Sequence, residues 1–143
     1  MALTMRKHLL LLPALHLSDV IAMAAVCCWP LYQMDVKNAF LNGDLHEEVY
    51  MQPPPCYPHS GSQVCRLRRA FYGLKQALQA WFEKFSSVVA QQGFTSSPHD
   101  TALFVQRSSA GITLILLYVD DMIITEDDSA GIHFLQHLVS ILR

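Results

Sequence analysis

Residues 117–125 read LYVDDMIIT. Two adjacent acids, Asp120 and Asp121, interrupt an apolar run that reads ITLILLYV from Ile112 and resumes as MII. A short apolar run of this kind is a buried strand, and an unpaired charge inside such a strand is expensive. The two acids therefore require a break: two strands joined at a hairpin, with the acids at or beside its tip. Tight hairpins favour Asn-Gly or Asp-Gly, and no glycine is offered here. Adjacent carboxylates repel each other, and a divalent cation relieves that repulsion. Magnesium prefers carboxylate oxygens and takes few protein ligands. Two metal ions about 4 Å apart clamp the attacking and leaving oxygens of a phosphoryl transfer. Such a site needs a further carboxylate from another strand. Asp35 is the best candidate, near the end of the strand-like LYQMDV at residues 31–36. The competing reading is a solvated pair of acids at a hairpin tip with no task.

The rest of the chain supplies a core for that hairpin. With 143 residues and 52% hydrophobic content, it suits one globular domain. Only 15% of residues are charged and the net charge is −2. That balance argues against a free-standing nucleic-acid binder, which is usually basic, although local clusters override a net figure. The four cysteines, Cys27, Cys28, Cys56 and Cys65, form no C-x-x-C pair. They suit buried or idle thiols in a reducing compartment, neither a zinc nor a disulfide framework. His133 and His137 stand at helical spacing without an HExxH pattern and read as ordinary helix residues. Arg6 and Lys7 precede an apolar run as in a secretory leader, but His8 and Pro13 interrupt it, so a secreted protein is not expected. No uninterrupted run of about 20 apolar residues calls for a membrane-spanning helix.

Residues 18–29 predict a buried helix with Ser18 as cap and Pro30 as its stop. A strand over 31–36 follows, then a turn or helix stop at Asn42-Gly43 and a strand over 48–51. The Pro-rich stretch 53–62 is a loop. Alternation puts Arg66 and Arg68 on one face of a strand. Residues 74–92 predict a helix with Leu74, Leu78, Trp81, Phe85 and Val88 on one face and Gly93 after its end. Strands are expected at 101–106, 112–119 and 122–125, and EDDS precedes a last helix from about Ala130. Helices grouped against a largely antiparallel sheet make the fold class α+β.

Three blocks carry a resemblance. Residues 35–45 (DVKNAFLNGDL), 71–81 (FYGLKQALQAW) and 117–125 (LYVDDMIIT) resemble the reverse transcriptase of a copia-type LTR retrotransposon. Gln33-Met34 and EVYMQPP at 48–54 fit the same family. The resemblance implies a right-hand polymerase palm over residues 18–143, with residues 1–17 unmatched, the fingers incomplete and the thumb absent. It implies RNA-directed DNA polymerase activity with two Mg²⁺ (or Mn²⁺) ions held by Asp35, Asp120 and Asp121. By the same resemblance Tyr118 and Val119 shape the hairpin under the primer end, and Phe40 is the steric gate against a ribose 2′-OH. Gln76 then lies against the incoming nucleotide. Arg66, Arg68, Arg69 and Lys75 form the one basic cluster, suited to phosphates. A core Phe40, a polar helix-start Gln76 and a solvated edge strand are the plainer readings of these residues. The implied partners are an RNA or DNA template, a primer and deoxynucleoside triphosphates. The implied location is cytoplasmic, within a virus-like particle.

The chain also departs from the family. Leu78 and Gln79 stand where Pro-Arg is usual, and Glu126 replaces a glycine, which would strain the backbone if that position needs positive φ. Residues 1–17 do not match the basic fingers segment that holds a triphosphate. Weak or absent polymerisation is the expectation, and the alternative is a catalytically inactive retrotransposon relic that keeps only a folded palm remnant.

Overall fold

A computed structural model of the chain describes residues 14–109, 111–127, 137, 138 and 140. Its elements are α1 (Ala14–Cys27), β1 (Leu31–Asp35), a 3-10 turn (Ala39–Asn42), β2 (Asp44–Met51), β3 (Cys65–Arg69), α2 (Ala77–Gln91), β4 (Thr95–Ser96), β5 (Leu103–Arg107), β6 (Ile112–Tyr118) and β7 (Asp121–Glu126). Five strands form one antiparallel sheet in the order β1-β7-β6-β5-β4, and β2 and β3 form a separate antiparallel ribbon. The α+β class expected from the sequence is the one observed. Most of the last expected helix lies outside the described residues; residues 137, 138 and 140 are helical.

The continuous apolar run in β6 and β7 follows from cover on both faces of the sheet, where alternation is not needed. Ile115, Leu117, Met122 and Ile124 pack with Phe104 against Trp81, Phe85, Val88 and Val89 of α2. The alternate residues Leu116 and Ile123 pack with Leu17 and Ile21 of α1. The sheet that carries the two acids is thus held between two helices.

Several boundaries differ from the sequence expectation. Ser18 lies inside α1 and is not its cap, because the run ahead of it continues the helix. The helix stops before Pro30 through a left-handed Cys28 (φ 56), with Trp29 N–H donating to the Ala24 carbonyl and Cys28 N–H to that of Ala25. That is the bonding of a Schellman end, with cysteine in the place glycine usually takes. β2 begins at Asp44, four residues before the expected strand start at Glu48. β4 is a two-residue strand with too little pattern to read. The buried face of α2 is Ala77, Ala80, Trp81, Phe85, Val88 and Val89, while Leu78 is exposed and Leu74 precedes the helix. The 3-10 turn presses on the start of this rotated face. A Cβ added at Gly43 would come within 2.8 Å of the backbone of Ala80 and Trp81. Gly43 itself has an ordinary extended φ of −77, so close approach, not conformation, excludes a side chain. Gly43→Ala should destabilise the protein by about 1–3 kcal/mol, the usual overpacking range. Urea unfolding measures this, and a variant as stable as the parent would contradict the packing.

Glu126 is not strained as expected. It continues β7 opposite Thr113, and the positive-φ non-glycine residues among those described are Cys28, Asn38 and Val119. What sets it apart is burial, at 1% exposed. The free cysteines are not buried as expected: Cys27, Cys28 and Cys56 are exposed and Cys65 is half-buried.

Candidate metal centre and nucleotide face

The β6–β7 hairpin turns one residue earlier than the sequence suggested. Tyr118 pairs with Asp121, so Val119 and Asp120 form the two-residue tip and Asp121 opens β7. β1 runs antiparallel beside β7 with Asp35 directly opposite Asp121. Residues facing each other in this way point to the same side of the sheet, with Cβ atoms about 4.5–5.5 Å apart. Asp120 joins them through the backbone: its carbonyl accepts the Val36 N–H at 2.9 Å, one residue beyond Asp35. The register of β1 and one loop bond thus bring all three aspartates to one end of the sheet. Asp35 is exposed, and Asp120 and Asp121 are half-buried.

The donor set fits a hard divalent cation, since carboxylate oxygens are what Mg²⁺ and Mn²⁺ take. Among the described residues no three His, Cys, Asp or Glu are grouped so as to hold a metal ion as they stand. Like charges at this range repel, so gathering the carboxylates without a cation is unfavourable. The backbone positions are already adjacent, so rotation of side chains is what closing the set would take.

Tyr72 belongs to this end of the molecule, and the sequence reading missed it. Its ring meets that of Phe40 edge to face, with centroids 4.5 Å apart and an interplanar angle of 85°. Phe40 is buried beneath it, and Tyr72 is exposed. Partial desolvation raises the Tyr72 hydroxyl pKa above the ordinary tyrosine value, and the charges of Asp120 and then Asp35 push it the same way. Tyr72 therefore stands within the field of two of the three aspartates. Its one sequence signal was its place before Gly73, whose φ of 94 turns the loop between β3 and α2. Removing a negative charge favours tyrosinate, so Asp120→Asn should lower the Tyr72 pKa. Ultraviolet titration of the parent and variant measures this, and coincident curves would contradict the placement.

Of the other expected residues, Tyr118 is paired with Asp121, and Gln76 and Lys75 lie in the loop before α2. Gln76 is the residue before α2 and its carbonyl accepts the Ala80 N–H. Lys75 is exposed in the same loop. Tyr118 ends β6, exposed, next to the tip.

Three of the four expected basic residues, Arg66, Arg68 and Arg69, are on the separate β2–β3 ribbon, and Lys75 is not. Arg66 and Arg68 both point outward, as alternation predicts. Arg66 pairs with Glu48 across the ribbon at 2.9 Å, and the Arg69 guanidinium donates to the Leu41 carbonyl at 3.3 Å. His46 with Glu83 and Lys84 with Asp44 link the ribbon to α2. These are exposed pairs, which contribute little to stability. No helix among the described residues is long and apolar enough to cross a membrane.

Comparison with known proteins meets this geometry. The family model for reverse transcriptase (RNA-dependent DNA polymerase) matches residues 12–140. The chain is 42% identical over 125 residues to a retrovirus-related Pol polyprotein from transposon RE2 of Arabidopsis thaliana, covering 86% of this chain and 8% of that protein. It is 42% identical over 116 residues to the corresponding polyprotein from transposon RE1 of the same plant, covering 80% of this chain and 8% of the relative. The polyprotein from transposon TNT 1-94 of Nicotiana tabacum is 39% identical over 76% of this chain, again at 8% of its own length. The chain thus spans under a tenth of these relatives. No solved structure matches. The chain belongs to the reverse transcriptases of copia-type retrotransposons.

Proposed function

We propose that the chain carries the aspartate-bearing palm of an RNA-directed DNA polymerase, formed by the five-stranded sheet and its two helices, and that it sustains only weak synthesis by itself. The observation that carries this reading is the register that sets Asp35 opposite Asp121, with Asp120 bonded beside them. Like charges directly opposite each other destabilise an antiparallel pair. Holding them so is understandable if the charge has a use, and membership of the reverse transcriptase family supports metal binding as that use. Asp35, Asp120 and Asp121 would hold two divalent cations. When bound, those ions neutralise charge on the triphosphate and lower the pKa of the attacking hydroxyl.

The chain's own residues position the reactants. A primer 3′-oxygen attacks the α-phosphorus of a deoxynucleoside triphosphate. A new P–O bond forms, the bond to the β-phosphate oxygen breaks, the hydroxyl proton leaves to solvent, and pyrophosphate departs. Alignment of oxygen and phosphorus supplies much of the rate, and no protein nucleophile takes part. Phe40 backs the Tyr72 ring, and together they form the apolar wall that a ribose 2′-OH would meet, with Tyr72 as its exposed face. Gln76 borders the nucleotide and Tyr118 supports the primer end. Arg66, Arg68, Arg69 and Lys75 take template or primer phosphates, a contact weakened by salt.

Primer extension on an RNA template with Mg²⁺ or Mn²⁺ tests the reading. Deoxynucleotide incorporation that disappears in Asp120→Asn is expected. Well-folded protein that gives no incorporation above that variant would overturn polymerisation by this chain.

A further inference from the structure

The tip of the acidic hairpin is held in an uncommon shape. Val119 has φ 56, a left-handed conformation that β-branched residues rarely adopt. Asp120, the second tip residue, is not among the residues of positive φ. Positive then negative φ is the pattern of a type II′ turn, which normally takes glycine first. Its close alternative, type I′, has positive φ at both positions and differs in the direction of the central peptide. Aspartate tolerates positive φ better than most residues, so Asp120 alone does not choose between them.

The choice is made from α2. The Trp81 indole N–H donates to the Val119 carbonyl at 2.6 Å, and that carbonyl belongs to the central peptide of the turn. Trp81 is fully buried, packed on Phe85 at 5.6 Å, so the donor cannot swing away. The next carbonyl, that of Asp120, is held by Val36 N–H from the end of β1. Two consecutive peptides are thus bonded from different elements. We propose that Trp81 is a positioning residue: its indole N–H locks the Val119–Asp120 peptide in one of two orientations, and so fixes where Asp120 carries its carboxylate. The consequence for metal binding rests on the reading of Asp120 as a ligand; the lock itself does not.

The test uses the whole chain with Trp81 replaced by β-(3-benzothienyl)alanine, which keeps the ring shape and removes the donor. Trp81→Phe is the second variant. In the parent, the amide protons of Val119 and Asp120 are far apart and give a weak nuclear Overhauser effect. Without the indole N–H the peptide samples the type I′ orientation, these protons approach, and the effect becomes strong. Mn²⁺ affinity should fall by about 3- to 10-fold, the weight of one hydrogen bond, with the benzothienyl protein still folded and melting a few degrees below the parent. An unchanged amide contact in folded benzothienyl protein would overturn the lock. Asp120→Asn separates the two claims: Mn²⁺ affinity equal to the parent's in that variant would overturn Asp120 as a ligand, while the amide contact still decides on Trp81.

Discussion

Asp121→Asn should make the metal-free protein more stable and abolish its stabilisation by Mg²⁺. Asp121 faces Asp35 across β1 and β7, and Asp120 lies beside them in the tip. Removing one of two facing like charges is worth up to about 1 kcal/mol, or a few degrees in melting temperature for a domain of this size. In the parent, a cation that binds only the folded state adds about 2.7 kcal/mol at a concentration 100 times its dissociation constant. The variant lacks that gain. The two melting temperatures should therefore cross: the variant melts higher without Mg²⁺ and the parent melts higher with it. Calorimetry with and without the ion measures this. Parallel shifts in both proteins would mean that the acids are a solvated tip and nothing more.

Phe85→Ala should have the largest effect on folding. Phe85 is fully buried where α2 meets the sheet. Its ring lies 5.6 Å from that of Trp81 and 5.4 Å from that of Phe104 on β5. Truncating a buried phenylalanine costs about 3–5 kcal/mol, against a total stability of about 5–15 kcal/mol for a typical domain. The variant should lose most of its cooperative unfolding transition, and with it the support behind Val119. Loss under about 1 kcal/mol, far below that range, would show that the α2–sheet layer is not where the stability resides.

The strands around the acids were legible in the sequence because their chemistry is extreme. A run as apolar as ITLILLYV admits burial on both faces, and the sheet between α1 and α2 provides it. Asp35 was legible because it stands at the end of a strand, where a carboxylate can meet another across a register. The turn was misplaced by one residue because local preference argues against valine at positive φ. Contacts from α2 and β1 override that preference, and they are 38 and 84 residues away in sequence. Leu78 was assigned to the buried face because helical spacing fits it as well as it fits Ala77 and Ala80. The close approach of Gly43 to Ala80 and Trp81 shows that this side of the helix is turned inward. Tyr72 carried no periodic signal, being in a loop, and its place near the aspartates comes from the turn at Gly73 and the ring of Phe40. A buried tryptophan must find an acceptor for its N–H. The sequence therefore posed the question that Val119 answers, without indicating which carbonyl it would be.

The central claim is that three aspartates from β1 and the β6–β7 hairpin share divalent cations in the service of nucleotidyl transfer. Electron paramagnetic resonance of Mn²⁺ with the folded chain and a deoxynucleoside triphosphate tests it most directly. Bound Mn²⁺ is expected, and it should be lost when Asp35, Asp120 and Asp121 are all replaced by asparagine in protein that remains folded. Equal binding by the parent and the triple variant would contradict it.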